Sequence, residues 1–141
     1  REEKVIAMNS ISLASVLVAC MLLGFNFQSG GATDFLEYLR GQKSGVFTIE
    51  EPMENWVKST DIDRLVDLLD SNKPCMSVAL SYSSTIKPVS TIGDEAALLI
   101  DGFRAGRYPP TMSSRKYSKR EKADLKKWWI DNKETAVRRN E

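Results

Sequence analysis

The sequence has no histidine among its 141 residues. This absence excludes Ser-His-Asp and Cys-His catalysis and every metal site that needs an imidazole ligand. Cysteine is almost as scarce, because only Cys20 and Cys75 occur. Cys20 lies in a segment that export would remove, so a processed chain would hold one thiol and no internal disulfide. The cysteines therefore give no indication of a disulfide-stabilised scaffold.

The net charge is also close to zero, because 20 basic residues are matched by 19 acidic ones. Nucleic-acid-binding proteins usually carry a basic excess, so we predict no nucleic-acid partner. The charges are unevenly placed: residues 34–101 contain 12 acidic and 6 basic residues, net −6, whereas residues 104–127 contain 9 basic and 2 acidic residues, net +7. This asymmetry predicts either separate acidic and basic faces or a basic segment that lies on an acidic body.

An apolar run occupies residues 11–27, inside a longer window without charge. Gly30 and Ala32 follow as small residues at positions −3 and −1 of a cleavage site. This pattern predicts a signal peptide over residues 1–32. The main alternative is an uncleaved membrane anchor that contacts the membrane through residues 5–27, because a run of this length nearly spans a thin bilayer.

Two further interpretations of the same segment stay open. The four residues from Leu17 to Cys20 resemble a bacterial lipobox, whose cysteine would be acylated, although the sequence stays apolar after it. The second interpretation is that the segment forms the buried first core helix of a cytosolic protein. The signal peptide predicts an exported protein, which is periplasmic, bound to the cell envelope or secreted, with a lipoprotein acylated at Cys20 as the minority alternative.

The strongest helix signal lies at residues 91–106. Thr91 is a suitable N-cap, Asp94 three residues later completes an approximate capping box, and Gly106 is placed to end the helix in the left-handed conformation. One face of this helix is apolar, formed by Ile92, Ala96, Leu99, Ile100 and Phe103. We expect the other helices to pack against this face.

A second strong helix is predicted over residues 60–70, from an approximate capping box and from apolar residues spaced 3, 4 and 7 apart. Weaker helices are predicted from caps and short apolar faces at residues 33–41, 52–57 and 118–132. Residues 75–84 alternate as a strand does, but they follow a proline and have no evident partner strand, so we favour a helix there. Residues 46–49 carry a short extended piece.

These elements predict an all-α fold. We expect a small, compact helical domain of about five short helices over residues 33–134, after the N-terminal apolar segment. Residues 135–141 are predicted to be a frayed tail.

A resemblance to a known helical repeat is carried by residues 61–80. An apolar helix and a second apolar stretch flank a turn that contains Pro74, with the key positions at Ile62, Leu65, Leu68, Leu69, Val78, Ala79 and Leu80. This arrangement resembles one HEAT-type repeat and, with the helix that follows, extends over about residues 61–103. The resemblance implies a helical hairpin in the middle of the domain. It also implies protein binding rather than catalysis, because HEAT-type modules mostly bind other proteins.

Acidic and thiol side chains are the remaining candidates for chemistry. Four aspartates at residues 61–70 do not fit a calcium loop, because Leu65 and Val66 occupy the positions of a ligand and of the required glycine. Cys75 would gain thiolate character at a helix N-terminus, although burial is the commoner state of a free cysteine. Acid–base catalysis would need two carboxylates across a cleft, and the candidates are Glu50, Glu51, Glu54, Asp94 and Glu95. We predict no catalytic, cofactor-binding or metal site.

A basic and aromatic set after the strongest helix predicts an interaction surface for a partner protein. Its members are Arg104, Arg107, Tyr108, Arg115, Lys116, Lys119 and Arg120. Further on, Trp128 and Trp129 are adjacent on a helix and point about 100° apart, so we expect one to be buried and the other to be partly exposed.

The sequence therefore predicts a non-catalytic, exported helical domain that binds another protein. One alternative is a small carboxylate-dependent hydrolase of the cell envelope. The other is a peripheral membrane protein that is held by the N-terminal segment and whose basic stretch at residues 115–127 lies on anionic lipid.

Overall fold

The computed structural model describes residues 25–138. In this part of the chain four helices alternate with six short strands: α1 (Ala32–Gly41), β1 (Val46–Ile49), β2 (Met53–Glu54), α2 (Ser59–Leu68), β3 (Pro74–Cys75), β4 (Ser77–Leu80), β5 (Ser90–Thr91), α3 (Ile92–Ala105), β6 (Arg107–Tyr108) and α4 (Lys119–Arg138). Most of the predicted signal peptide, with Cys20, lies outside the described residues. Within them, no helix is long and apolar enough to cross a membrane.

The all-α prediction is wrong, because residues 75–84 contain strands where we expected a helix. Strand β4 pairs in parallel with β1, with Phe47 opposite Val78 and Ile49 opposite Leu80. All four residues of β4 are buried, and the partner strand that the sequence did not reveal is the short extended piece at residues 46–49, far earlier in the chain. The HEAT-like hairpin consequently lacks its second helix.

Two shorter strand pairs hold the chain on either side of α3. Strand β5, which leads into the helix, pairs antiparallel with β3, and strand β6, which leaves it, pairs antiparallel with β2. The second pair replaces the helix that we predicted over residues 52–57. Both ends of α3 are therefore fixed by backbone hydrogen bonds to distant parts of the sequence.

Helix α3 is the centre of the fold. The hydroxyl of Thr91 caps it by accepting a hydrogen bond from the backbone N–H of Asp94 at 3.2 Å, and Gly106 ends it with φ at 71°. Residues 92–100 are all buried, as in a helix that is surrounded by protein. A Cβ atom on Gly93 would lie 2.3 Å from the carbonyl oxygen of Leu69, so only glycine permits this close approach of α3 to the end of α2.

Helix α4 begins at the predicted capping box. The backbone N–H of Ser118 donates to the Glu121 carboxylate at 2.7 Å, and the Glu121 N–H donates to the Ser118 hydroxyl at 3.2 Å. The helix then continues to Arg138, past the predicted end at Asn132 and into the expected tail.

Helix α4 packs along α2 through an indole and two ion pairs. The indole N–H of Trp129 donates to Asp63 at 2.7 Å, and Lys133 contacts the same carboxylate at 2.7 Å. Lys126 pairs with Asp70 at 2.5 Å. Trp129 is buried whereas Trp128 is only partly buried, which confirms the expected division between the two tryptophans.

The first described residues pack on an aromatic cluster at the other side of the domain. The ring centroids of Phe25 and Phe35 lie 5.1 Å apart, as do those of Phe27 and Trp56. Cleavage before Thr33 would remove two of these rings from the folded domain.

Candidate functional site

An open groove of about 610 Å³ lies between the end of α3 and the second half of α4. Its apolar wall comes from Phe103 and Trp128, whose ring centroids are 6.2 Å apart. Among the described residues, Lys58 and Arg104 are the only charged ones that line it, and no carboxylate does. The groove therefore combines ring surface with positive charge.

The floor of the groove depends on a tight backbone turn before α2. Asn55 has φ at 48°, in the left-handed region, and its N–H donates to the carbonyl oxygen of Gly106 at 2.8 Å. Asparagine tolerates this conformation better than most residues, and such local strain concentrates at ligand-binding sites. The contact joins the turn to the end of α3, so these two parts of the groove are held together.

The two cations of the groove differ in their partners. The Arg104 guanidinium lies over the Trp128 ring, 5.1 Å from its centroid, and contacts Asp101 at 3.3 Å. The Lys58 ammonium donates to the carbonyl oxygen of Asn55 at 2.7 Å and has no ion pair among the described residues. Lys58 is therefore an uncompensated charge at the rim.

A second, smaller cleft of about 290 Å³ lies at the other end of α3, at its N-terminus. Lys87, Arg115 and Lys116 contribute its cations, and Ser90 and Ser114 also line it. Asp94 also lines it, but its carboxylate is 2.8 Å from the Lys122 ammonium and accepts from the N–H of Tyr117 at 3.2 Å.

The residues of the predicted interaction surface do not form one patch. Arg104 lines the groove, Arg115 and Lys116 line the small cleft, and the exposed side chains of Arg107, Lys119 and Arg120 lie on β6 and on the first turn of α4. Tyr108 is fully buried, so its side chain is not available to a partner docking on the surface. It is buried because β6 pairs with β2 and turns the ring into the core, against Trp56.

Part of the basic stretch neutralises acidic residues within the domain. Arg115 contacts Glu121 at 2.8 Å and Asp101 at 3.7 Å, and its guanidinium lies over the Tyr117 ring at 3.7 Å. The lysines of α4 pair in the same way with Asp94, Asp70 and Asp63. The charge asymmetry predicted either separate faces or a basic segment that lies on an acidic body. These ion pairs belong to the second arrangement.

Glu95 is the most unusual ionisable group of the described residues. It is fully buried in the middle of the fold, and neither carboxyl oxygen has a partner with hydrogen-bond geometry. Burial raises its pKa to about 7, although the nearby hydroxyls of Ser114 and Ser90 oppose the shift. Catalytic acids often have such a pKa, but Glu95 lines neither cavity, so a substrate bound there would not touch it.

The other candidates for chemistry also lack a site. Cys75 is buried, and burial followed by the charge of Glu95 raises the pKa of its thiol to about 12, which leaves it without thiolate character at neutral pH. Glu50, Glu51 and Glu54 are exposed. No group of three or more Cys, Asp or Glu residues is placed to hold a metal ion within residues 25–138.

Sequence reasoning missed the groove itself. Asn55 lies in the short helix that we predicted over residues 52–57, and Lys58 lies between that helix and the one predicted over residues 60–70. The approach of both residues to α3 depends on the β2–β6 pair. The one local signal was the Trp128–Trp129 pair, because its helical spacing indicated that one of the two rings would be partly exposed. The position of that ring next to Arg104 is visible only in the structure.

No protein-family profile, no curated protein and no solved structure matches this chain.

Proposed function

We propose that this protein is a non-catalytic binding domain, and that its groove holds a segment of a partner protein in which an apolar side chain lies beside a carboxylate. The observation that supports this proposal most is the composition of the groove. Phe103 and Trp128 supply ring surface, and Lys58 and Arg104 are the only charged residues of the lining within residues 25–138. A volume of about 610 Å³ is in the usual range for bound ligands, roughly 300–1,000 Å³.

Carboxylates are the expected polar feature of the partner because of how the two cations are held. Lys58 has only a carbonyl partner among the described residues. Arg104 stacks on Trp128 and contacts a single carboxylate, so the other donors of its planar fork remain open. Tryptophan and arginine are also the residues that most often dominate binding energy at protein interfaces.

Export stays part of this proposal. It is supported by the uncharged apolar run of residues 11–27 and the small residues after it.

The groove is tested by titrating the full chain with an acetylated hexapeptide that has two central leucines flanked by glutamates. Matched peptides replace the glutamates by lysines or the leucines by serines. Of these peptides, only the acidic leucine peptide should bind measurably. Combining Lys58→Glu with Arg104→Glu should lower its affinity about tenfold or more, which is about 1.4 kcal/mol.

Lys43→Glu is the control, since Lys43 is an exposed lysine outside the groove. Trp128→Ala should also weaken binding. This loss of affinity should depend on salt concentration less than the loss caused by the charge reversals. Equal affinity for the acidic and the lysine peptides, or wild-type affinity in the double reversal, would contradict the proposal.

A further inference from the structure

Exposed apolar side chains concentrate on one loop and the segment beside it. Of the six large apolar residues that are exposed among the described residues, four lie here, at 47–62% exposure: Tyr82, Ile86, Val89 and Met112. The backbone N–H of Leu80 donates to the carbonyl oxygen of Met112 at 2.8 Å, which places Met112 beside the turn that holds Tyr82. We call residues 81–89 and 112–116 together the apolar–basic face.

The charged residues of this face, Lys87, Arg115 and Lys116, are all basic. Two exposed carboxylates, Glu50 and Glu51, adjoin its Tyr82 end, because they follow Ile49, whose carbonyl oxygen accepts from the N–H of Ser81 at 2.9 Å. Residues 71–93 and 102–120, which supply both of its parts, contain no aspartate or glutamate. Lys87 and Lys116 line the small cleft at the N-terminus of α3 and have no ion pair among the described residues. The acid in the cleft, Asp94, is already neutralised by Lys122 at 2.8 Å.

We propose that the apolar–basic face docks on an anionic phospholipid surface. Ile86 and Val89 would enter the boundary between headgroups and acyl chains, while Lys87, which lies between them in the sequence, and Lys116 contact lipid phosphates. Exposed apolar side chains next to basic ones are the combination that holds a protein on such a surface, because apolar burial and charge attraction add.

This face is separate from the groove that the proposed function uses. The cleft lies at the first residues of α3 and the groove at its last residues, and a helix of 14 residues is about 20 Å long. A protein held on the membrane by one end of α3 would still present the groove to a partner. Either proposal can therefore be refuted by its own test while the other one holds.

The test labels single positions of the full chain with an environment-sensitive nitrobenzoxadiazole dye. In a Cys20→Ser background, Ile86→Cys places the dye on the face, and Ile130→Cys places it on the outer side of α4, at a residue that is even more exposed in the wild type. Each protein is mixed with vesicles of phosphatidylcholine alone or with an equal share of phosphatidylglycerol.

With the anionic vesicles, we expect the emission from position 86 to move to shorter wavelength and to gain intensity several-fold, while position 130 stays unchanged. Lys87→Glu and Lys116→Glu should each weaken this response about fivefold, and salt should weaken it further. Lys127→Glu is the matched control, because Lys127 is an exposed lysine of α4 and should have no effect.

Membrane binding through the apolar run at residues 11–27 alone would not distinguish the two labelled positions. An unchanged signal at position 86, or an equal change at position 130, would overturn the proposal. So would the same response to soluble polyglutamate, because an acidic polymer without a lipid interface would then be sufficient. Melting temperatures of the variants, measured by circular dichroism, identify any that fail to fold.

Discussion

Replacing Glu95 by glutamine tests whether a buried carboxyl without partners sits at the centre of this fold. The side chain is fully buried and lies near Asp94, Cys75 and Tyr108. Burial raises its pKa from 4.5 to about 7, so the folded protein holds a proton there at pH values where the unfolded chain releases it. Glutamine keeps the shape and removes the ionisation.

The sign and size of the effect follow from that pKa. A group that binds its proton more tightly in the folded state stabilises the fold fully below its unfolded pKa of 4.5, and this contribution is lost as the pH rises through about 7. Each pKa unit corresponds to about 1.4 kcal/mol. Between pH 5 and pH 8 the wild-type protein should therefore lose about 2–3 kcal/mol of unfolding free energy through Glu95 alone.

Urea denaturation at pH 5 and pH 8 measures this difference directly. Glu95→Gln should gain about 2–3 kcal/mol relative to wild type on going from pH 5 to pH 8, whereas Glu54→Gln, at an exposed site, should follow the wild type. If the free-energy difference between Glu95→Gln and wild type were the same at both pH values, the carboxyl would not be buried as described.

Two further predictions concern packing. Gly93→Ala should destabilise the protein by about 1–3 kcal/mol or more, because its Cβ would meet backbone oxygens of α2 and the turn after it, while Gly41→Ala, with nothing within 4 Å, should be nearly neutral in the same denaturation assay. A chain that begins at Thr33 should melt at a lower temperature than one that begins at Phe25, since it lacks the rings of Phe25 and Phe27 that pack on the aromatic cluster; equal melting temperatures would show that these rings contribute nothing.

Local signals in the sequence located the four helices of residues 25–138 but only the first of the strands. Caps are contacts between near neighbours, so Thr91, Ser118 and Gly106 could be assigned correctly from spacing alone. The pairing of β4 with β1 joins residues far apart in the chain, and no short window contains that information. Residues 75–84 were therefore misjudged even though residues 46–49 were recognised as extended.

The candidate site was predictable only in part, for a similar reason. The basic set after α3 was recognised from composition, yet composition does not show that Arg115 is bound by Glu121 or that Tyr108 faces the core. Lys58 enters the groove through the turn at Asn55, which the strand pair β2–β6 positions. Burial of Glu95 was likewise hidden, because a carboxylate in the first turn of a helix ordinarily faces solvent.

The central claim is that the groove between α3 and α4 is the binding site, and nuclear magnetic resonance of the full chain tests it most directly. On titration with the acidic leucine hexapeptide, the indole N–H resonance of Trp128 should shift together with the backbone amides of Phe103 and Arg104. The amides of residues 81–89, at the opposite end of α3, should stay in place. Saturating peptide that leaves the Trp128 resonance unmoved, or that shifts residues 81–89 instead, would contradict the account.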